Sequence, residues 1–299
     1  MQPMLNIAVQ AARNAGDFLV RRLDRAAHLH VLDKGPNDYV SEADRRAEAI
    51  VLAEIRKAYP GHAVLAEESG AQAGNDCQWI VDPLDGTTNF LHGCPHFAVS
   101  VAVRRGTRLL HAVVYDPLRQ EMYTASRGEG AYLNERRIRV SGRAASGPKG
   151  LKRALVGTGF PFRNPARLPA YLDALERVCR AVTDVRRMGS AALDLAAVAC
   201  GRLDGFWESD LQLWDIAAGV LLVEEAGGLV TDLEGGTGHL RCGQILAGSP
   251  SVHGQLLRLL APSGGRRPGP PRRPGGAGGK APRPVKKRRP AGSGGARKP

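Results

Sequence analysis

The densest polar cluster beside apolar runs is Trp79-Ile-Val-Asp82-Pro-Leu-Asp85-Gly-Thr87-Thr88-Asn89-Phe90. A strand that ends at Asp82, turned tightly by Pro83 and Gly86, leads to Thr87, which opens a helix whose free N–H groups attract an anion. Two carboxylates three residues apart beside such a helix start suit a magnesium ion shared with a phosphate. Magnesium takes oxygen ligands and is commonly held by one or two carboxylates together with substrate phosphate. Taken alone, the spacing is equally open to a plain turn in which Asp82 and Asp85 only cap the chain.

Two further acidic groups bear on that choice. Glu67-Glu68-Ser69-Gly70 follows an apolar run, Ala63 to Ala66, and sets a second carboxylate pair at a strand end that can neighbour Asp82; a solvated loop is the other reading. Trp214-Asp215 opens the run Ile216 to Val223, where Asp215 is either a site residue or an N-cap. Three acidic groups at element termini are what a site between two subdomains requires. A pair of metal ions about 3.5–4 Å apart needs such bridging carboxylates, one ion activating water and the other stabilising the leaving oxygen. Cys94 with His92 and His96 reads as a loop between Gly93 and Pro95 rather than as a nucleophile, and the pair Arg186-Arg187 is open to a phosphate or a subunit contact.

The elements that must position these groups follow from periodicity. Ile7, Ala8, Ala11, Ala12, Ala15, Phe18 and Leu19 make an amphipathic opening helix, and a second helical pattern runs from Glu42 to Ala58, stopped by Pro60 and Gly61. Runs at Ala63–Ala66, Gln78–Val81, Phe97–Arg104, Leu109–Tyr115 and Glu121–Ala125, with hairpin-length gaps, predict an antiparallel sheet. Gly142 to Lys152 reads as a connection. Beyond it, a strand at Ala154–Thr158, a helix at Ala170–Ala181, a strand at Asp184–Arg187, and helix, strand and helix to Ala226 alternate, followed by a strand at Ile245–Ala247 and a helix at Ser251–Leu260. The expected organisation is an N-terminal α+β half over 1–141, a mixed α/β half over 142–261 and a tail over 262–299.

Composition narrows the class. The 299 residues are 43% apolar and 24% charged, which excludes a globally disordered, collagenous or membrane-channel chain. The net charge of +13 is an appendage: residues 262–299 hold 12 of the 42 Lys and Arg and no acid, leaving 30 basic against 29 acidic residues before them. With 10 Gly and 9 Pro, that tail reads as disordered. Its basic residues suit phosphate backbones, with strong salt dependence. No aromatic residue follows Trp214, so base stacking is not open to it. Five scattered cysteines without a C-x-x-C pair argue against structural zinc and a disulfide framework, and no run approaches the length of a membrane span. With no secretory pattern at the start, the expected compartment is the cytoplasm.

The string Asp82-Pro-Leu-Asp85-Gly-Thr-Thr-Asn-Phe90, with Glu67-Glu68-Ser69 before it and Trp214-Asp215-Ile-Ala-Ala-Gly219 after it, resembles the inositol monophosphatase family. Met4-Leu-Asn-Ile-Ala-Val9, Pro95-His-Phe-Ala-Val-Ser-Val101, Thr158-Gly-Phe-Pro-Phe162 and Gly189-Ser-Ala-Ala-Leu-Asp-Leu195 are most similar to its bacterial SuhB-type members. The resemblance covers Met1 to Leu260. It implies an αβαβα layered sandwich, an α/β fold of the sugar-phosphatase type, and a homodimer. It also implies Mg²⁺ at two sites: Glu67, Asp82 and the Leu84 carbonyl at the first, and Asp82, Asp85 and Asp215 at the second. Asp44 matches a position linked to a weaker third metal.

Thr87 with Glu67 is the implied partner of the attacking water. Gly86 and Thr87 are the implied phosphate contacts. Gly189, Ser190 and Ala191 match a helix start near the alcohol, and Glu208 a carboxylate that reads its hydroxyls. The implied reaction is in-line attack of water on myo-inositol 1-phosphate, sensitive to lithium. Fructose-bisphosphate, histidinol-phosphate or nucleotide 3′-phosphate esters are alternatives that would differ around Ser190 and Glu208. A different class is a regulatory protein bound to RNA or a transcription antitermination complex for ribosomal RNA. The intact acid set argues against a chain that kept only binding.

Overall fold

Side chains alternate along strands, so a sheet buried on both faces needs apolar residues at nearly every position. The sequence meets that demand in its first half. In β6 (Ala98–Arg105) and β7 (Arg108–Asp116), Val99, Val101, Val103, Val113 and Tyr115 face one core, and Ala98, Ala102, Ala112 and Val114 face another.

The computed structural model describes residues 2–23, 31–35, 38–142 and 150–261, the side chains of 31–41 excepted. These fall within the unit Met1–Ser263. The basic tail and residues 143–149 of the expected connection lie outside the described residues; Leu151–Arg153 form one 3-10 turn.

Helix α1 (Pro3–Leu23) leads to a hairpin of β1 (Val31–Gly35) and β2 (Asp38–Ser41), then to α2 (Glu42–Ala58). Next come β3 (Ala63–Ala66), β4 (Gly70–Gln72), β5 (Cys77–Asp85) and the single-turn α3 (Thr87–Leu91). After β6 and β7 follow β8 (Glu121–Ser126), β9 (Gly130–Leu133) and β10 (Arg136–Arg137), completing an eight-stranded sheet in the order β10-β9-β8-β7-β6-β5-β3-β4.

The second sheet takes β11 (Leu155–Thr158), β12 (Asp184–Arg186), β13 (Gly205–Glu208), β14 (Leu229–Thr231) and β15 (Ile245–Gly248), in the order β12-β11-β13-β15-β14. Between and around these strands lie α4 (Leu168–Cys179), α5 (Ala191–Ala199), α6 (Leu213–Glu225), α7 (His239–Cys242) and α8 (Pro250–Leu260).

The layers follow from which faces are apolar. Helices α1 and α2 bury one stripe each against the large sheet, around Trp79, Val101 and Tyr115. By contrast α5 is buried at all nine positions and α6 from Asp215 to Val223, because both lie between the two sheets. On the far face of the small sheet, Val178 of α4 and Val252 and Leu256 of α8 cover Val156, Trp207 and Leu246. The result is the αβαβα sandwich. Each fully buried Leu, Val or Ile in it contributes about 1.5–3 kcal/mol. No described helix is long and apolar enough to cross a membrane, and all five cysteines are free thiols.

Two expectations are corrected. The large sheet is not wholly antiparallel: β3 runs parallel to β5, because the chain turns back through β4 before β5. The strand does not end at Asp82 but continues to Asp85 through a bulge, with Asp82 opposite Ser100 and Asp85 opposite Ala98. The short strands β4, β10 and β14, for which the sequence carried no expectation, lie at sheet edges, where partly or fully exposed residues carry no apolar alternation to read.

Candidate active site

The bulge in β5 is where the acidic cluster acquires its shape. One extra residue between Asp82 and Asp85 re-aims the backbone, as bulges do beside functional sites. Asp82 Oδ1 accepts the N–H of Leu84 at 2.9 Å, which closes the turn, and the Leu84 carbonyl accepts the Thr87 hydroxyl at 3.1 Å. Gly86 then takes φ 97°, a left-handed conformation strained for any side chain, and a Cβ there would lie 3.1 Å from the His96 carbonyl. Helix α3 is only five residues long, so any hold on an anion comes from the free N–H groups of its one turn rather than from a long dipole.

The parallel pairing of β3 with β5 sets Glu67 beside Asp82: Ala66 is opposite Val81, and the Glu67 N–H donates to the Val81 carbonyl at 3.1 Å. The next two amides, of Glu68 and Ser69, donate to the two carboxylate oxygens of Glu48 at 2.8 and 3.0 Å. Glu48 is buried on the inner face of α2 with Asp44. Its role escapes a reading of motifs, although two acids on the apolar stripe of a helix were a legible signal. Glu48→Ala leaves those amides without their acceptor, at about 1–3 kcal/mol for each that stays dry. The expected drop in Tm is about 2–4 °C per kcal/mol, read by calorimetry.

Asp44 is fully buried, and the Thr87 hydroxyl donates to its Oδ1 at 3.0 Å. The structure thus places Asp44 behind Thr87 and outside the cavity wall. Ser190 is also turned away from the wall. It caps α5, and its hydroxyl donates to Asp85 Oδ2 at 2.5 Å, while the Ala192 N–H reaches the same oxygen at 2.7 Å. Asp215 is not the N-cap of α6, which is Gln212, but the third residue of the helix. Its Oδ2 accepts the Gln212 N–H at 2.7 Å in a capping box, and it also lines the cavity.

That cavity has a volume of about 400 Å³. Its wall brings together Glu67, Asp82, Leu84, Asp85, Gly86, Thr87, Gly189, Ala191, Glu208 and Asp215. Arg187, which the sequence left open to a phosphate or a subunit contact, also lines it, with Phe160 and Phe162. Arg187 lies over the rings of Phe160 and Phe162, 6.0 and 5.5 Å from their centroids. Arg186 instead pairs with Asp184. His92 and Arg163 also line the wall, whereas Cys94 is exposed outside it. Gly159 is required by space: a Cβ on it would lie 1.9 Å from Glu208 Oε1.

The electrostatics are those of a site short of positive charge. Burial first, then the charges of Glu67, Asp85 and Asp215, push the Asp82 carboxyl well above the ordinary range. Burial pushes Asp85 up to about 6 against the pull of the Ser190 hydroxyl and the Ala192 N–H. Glu208 rises to about 8, again by burial, with Arg187 opposing.

The donors of this wall are carboxylates and a carbonyl, all hard oxygens, with the Asp82 carboxyl buried among like charges; such a set fits a hard divalent cation. Among the described residues, no three acidic, His or Cys side chains stand near enough as placed to grip one ion.

Comparison with known proteins agrees with the architecture. The family model for the inositol monophosphatase family matches residues 1–264. The chain is 52% identical to the Nus factor SuhB of Pseudomonas aeruginosa, covering 88% of this chain and 97% of that one. It is 50% identical to the inositol-1-monophosphatase of Mesorhizobium japonicum, covering 86% and 96%. Among solved structures, the extragenic suppressor protein suhB of Bartonella henselae superposes with a TM-score of 0.83 at 48% identity, over 87% of this chain and 99% of that one.

Proposed function

The chain belongs to the inositol monophosphatase family and is by that membership a phosphatase, and from this premise we propose that it hydrolyses myo-inositol 1-phosphate to inositol and phosphate with Mg²⁺. The observation that carries the reading is the cavity in which Glu67, Asp82, Asp85 and Asp215 meet Thr87 and Glu208. Glu67, Asp82 and the Leu84 carbonyl would hold one ion, and Asp82, Asp85 and Asp215 a second. Bound Mg²⁺ lowers the pKa of water and offsets charge on the leaving oxygen.

The protein's own residues do the rest. The Thr87 hydroxyl has one proton, which it gives to Asp44 or to the Leu84 carbonyl. Its oxygen is left to accept a hydrogen bond from the attacking water, whose proton passes to the Glu67 carboxylate, or to Thr87 as Thr87 hands its own proton to Asp44. The N–H groups of Gly86 and Thr87 take phosphate oxygens. Glu208, together with the backbone around Gly189 and Ala191, reads the hydroxyls of the alcohol. The protein acts as a homodimer in the cytoplasm.

A second reading rests on the 52% identity to a protein named Nus factor SuhB and on the basic tail beyond residue 264, where the family match ends. In it the same fold also serves a transcription antitermination complex, and the tail adds salt-dependent affinity for RNA.

The test is phosphate release with and without Mg²⁺ from myo-inositol 1-phosphate, fructose 1,6-bisphosphate and a nucleotide 3′-phosphate. Preferential Mg²⁺-dependent turnover of the inositol ester is expected. Highest turnover of another ester keeps the site and replaces the substrate, and no turnover of any ester by the folded, Mg²⁺-loaded chain favours the regulatory reading. For that reading, removal of residues 262–299 is expected to weaken RNA binding and flatten its dependence on salt.

A further inference from the structure

Asn89, one turn past Gly86, spans two parts of the molecule that are far apart in sequence. Its amide nitrogen lies 2.8 Å from the His96 carbonyl, on the segment leading into β6, and 2.9 Å from the Met188 carbonyl, on the segment leaving β12. A primary amide has two N–H groups, and both near partners are backbone carbonyls, so both donors are committed and the amide orientation is settled. The same nitrogen is 3.5 Å from the Gly189 carbonyl.

The fit around this tie leaves little slack. A Cβ on Gly189 would lie 3.1 Å from the Asn89 nitrogen and 2.6 Å from an Arg187 nitrogen, and a Cβ on Gly86 would lie 3.4 Å from the Gly189 carbonyl. One residue further on, Ser190 donates its hydroxyl to Asp85 Oδ2. The segment from Met188 to Ser190 is thus clamped on the turn that carries Asp85, with Asn89 at one end and Ser190 at the other.

We propose that Asn89 is a positioning residue: by holding the Met188 and His96 carbonyls it sets the Ser190 hydroxyl on Asp85 and fixes the small-sheet wall of the site against the Gly86 turn. The proposal rests on the phosphatase reading only for what the clamp serves. The mechanical claim stands on the four contacts themselves. Asn89 touches no reacting atom in this scheme and acts through Ser190.

The experiment is a double-mutant cycle in the full-length chain with Mg²⁺, using Asn89→Ala, Asn89→Leu, Ser190→Ala and Asn89→Ala/Ser190→Ala, read as kcat and KM on myo-inositol 1-phosphate. Supporting groups behind a metal ligand carry about 10–100-fold in activity, so each single variant is expected to lose that much. The double variant should fall no more than about threefold below the worse single, because both break one chain of contacts.

Asn89→Leu keeps the branched outline of the side chain and removes the donors. It should lose as much as Asn89→Ala, and retention of activity in it would show that Asn89 only fills space, which overturns the proposal. Multiplicative losses in the double variant overturn it too. The same cycle is read in parallel as Tm of the metal-free protein, where non-additive shifts are expected and additive ones count against the proposal. Should the unaltered chain release no phosphate from any ester, the phosphatase reading fails, while the thermal cycle still decides the clamp.

Discussion

Asp82→Asn is expected to abolish phosphate release and, in the same protein stripped of metal, to raise the melting temperature. Both effects have one cause. Asp82 is buried, 2% exposed, and burial and three neighbouring carboxylates hold its pKa well above the ordinary value. Its ionised form therefore costs stability until a cation compensates it.

For an acid whose pKa is raised on folding, stability is greatest below the unfolded value and falls as pH rises through the interval up to the folded value. The unaltered protein and the Asp82→Asn variant should accordingly melt together near pH 4 and separate as pH rises, the variant being the more stable, if both are measured in chelator. Excess Mg²⁺ should reverse the order, because only the carboxylate gains from the ion. The loss in kcat/KM should exceed the roughly 100-fold that supporting groups around a metal command. Equal melting of the two proteins at pH 8 without metal would remove the electrostatic argument, and retained turnover would remove Asp82 from the site.

The second large effect is expected from Gly159→Ala, a substitution away from every acidic motif. The new methyl would fall 1.9 Å from Glu208 Cδ and Oε1, far inside contact distance. What it strikes is the end of a flexible side chain. The fold should survive with a small change in Tm, and the Glu208 carboxyl should be displaced.

A polyol that relied on that carboxyl loses hydrogen bonds to it, about 1–3 kcal/mol, or roughly 10–100-fold in KM. An ester without hydroxyls, such as p-nitrophenyl phosphate, should be unaffected. Glu208→Ala should reproduce the effect. Glu208→Gln should not at pH 6–7, because a group pushed up to about 8 is then mostly protonated and the amide resembles it. As pH rises past that value the unaltered protein ionises and the amide variant does not, so their KM values should part there; bound Mg²⁺ moves the point of parting down. Equal losses on both esters would make Gly159 a folding residue and leave Glu208 without its role as reader of the alcohol.

Much of this molecule was legible before any coordinate. The apolar stripes of α1 and α2 and the valine-rich runs of β6 and β7 announce themselves by period, because each element must hide one or both faces. The acids at the ends of β3 and β5 and at the start of α6 stood out because carboxylates at the edge of apolar runs need a reason. The layered fold came from motif resemblance, not from period, and the sheet orders and family match agree with it. The parallel pairing of β3 and β5 was not legible, since strand direction depends on the path of the chain between them.

What the tertiary structure alone decided is which groups face one another across long stretches of chain. Local pattern records the environment of a residue and not its partner. Glu48 shows only as an acid on an apolar stripe until the amides of Glu68 and Ser69 arrive at it. Asn89 is one polar residue of a turn until the Met188 carbonyl, 99 residues on, meets its amide. Gly159 carries no side chain to read, and its purpose is the space that Glu208 occupies. Composition and period, set by the hydrophobic effect, specify the layers one element at a time. Hydrogen bonds and excluded volume act over a few ångströms between residues any distance apart in sequence, so they are settled only when the layers close.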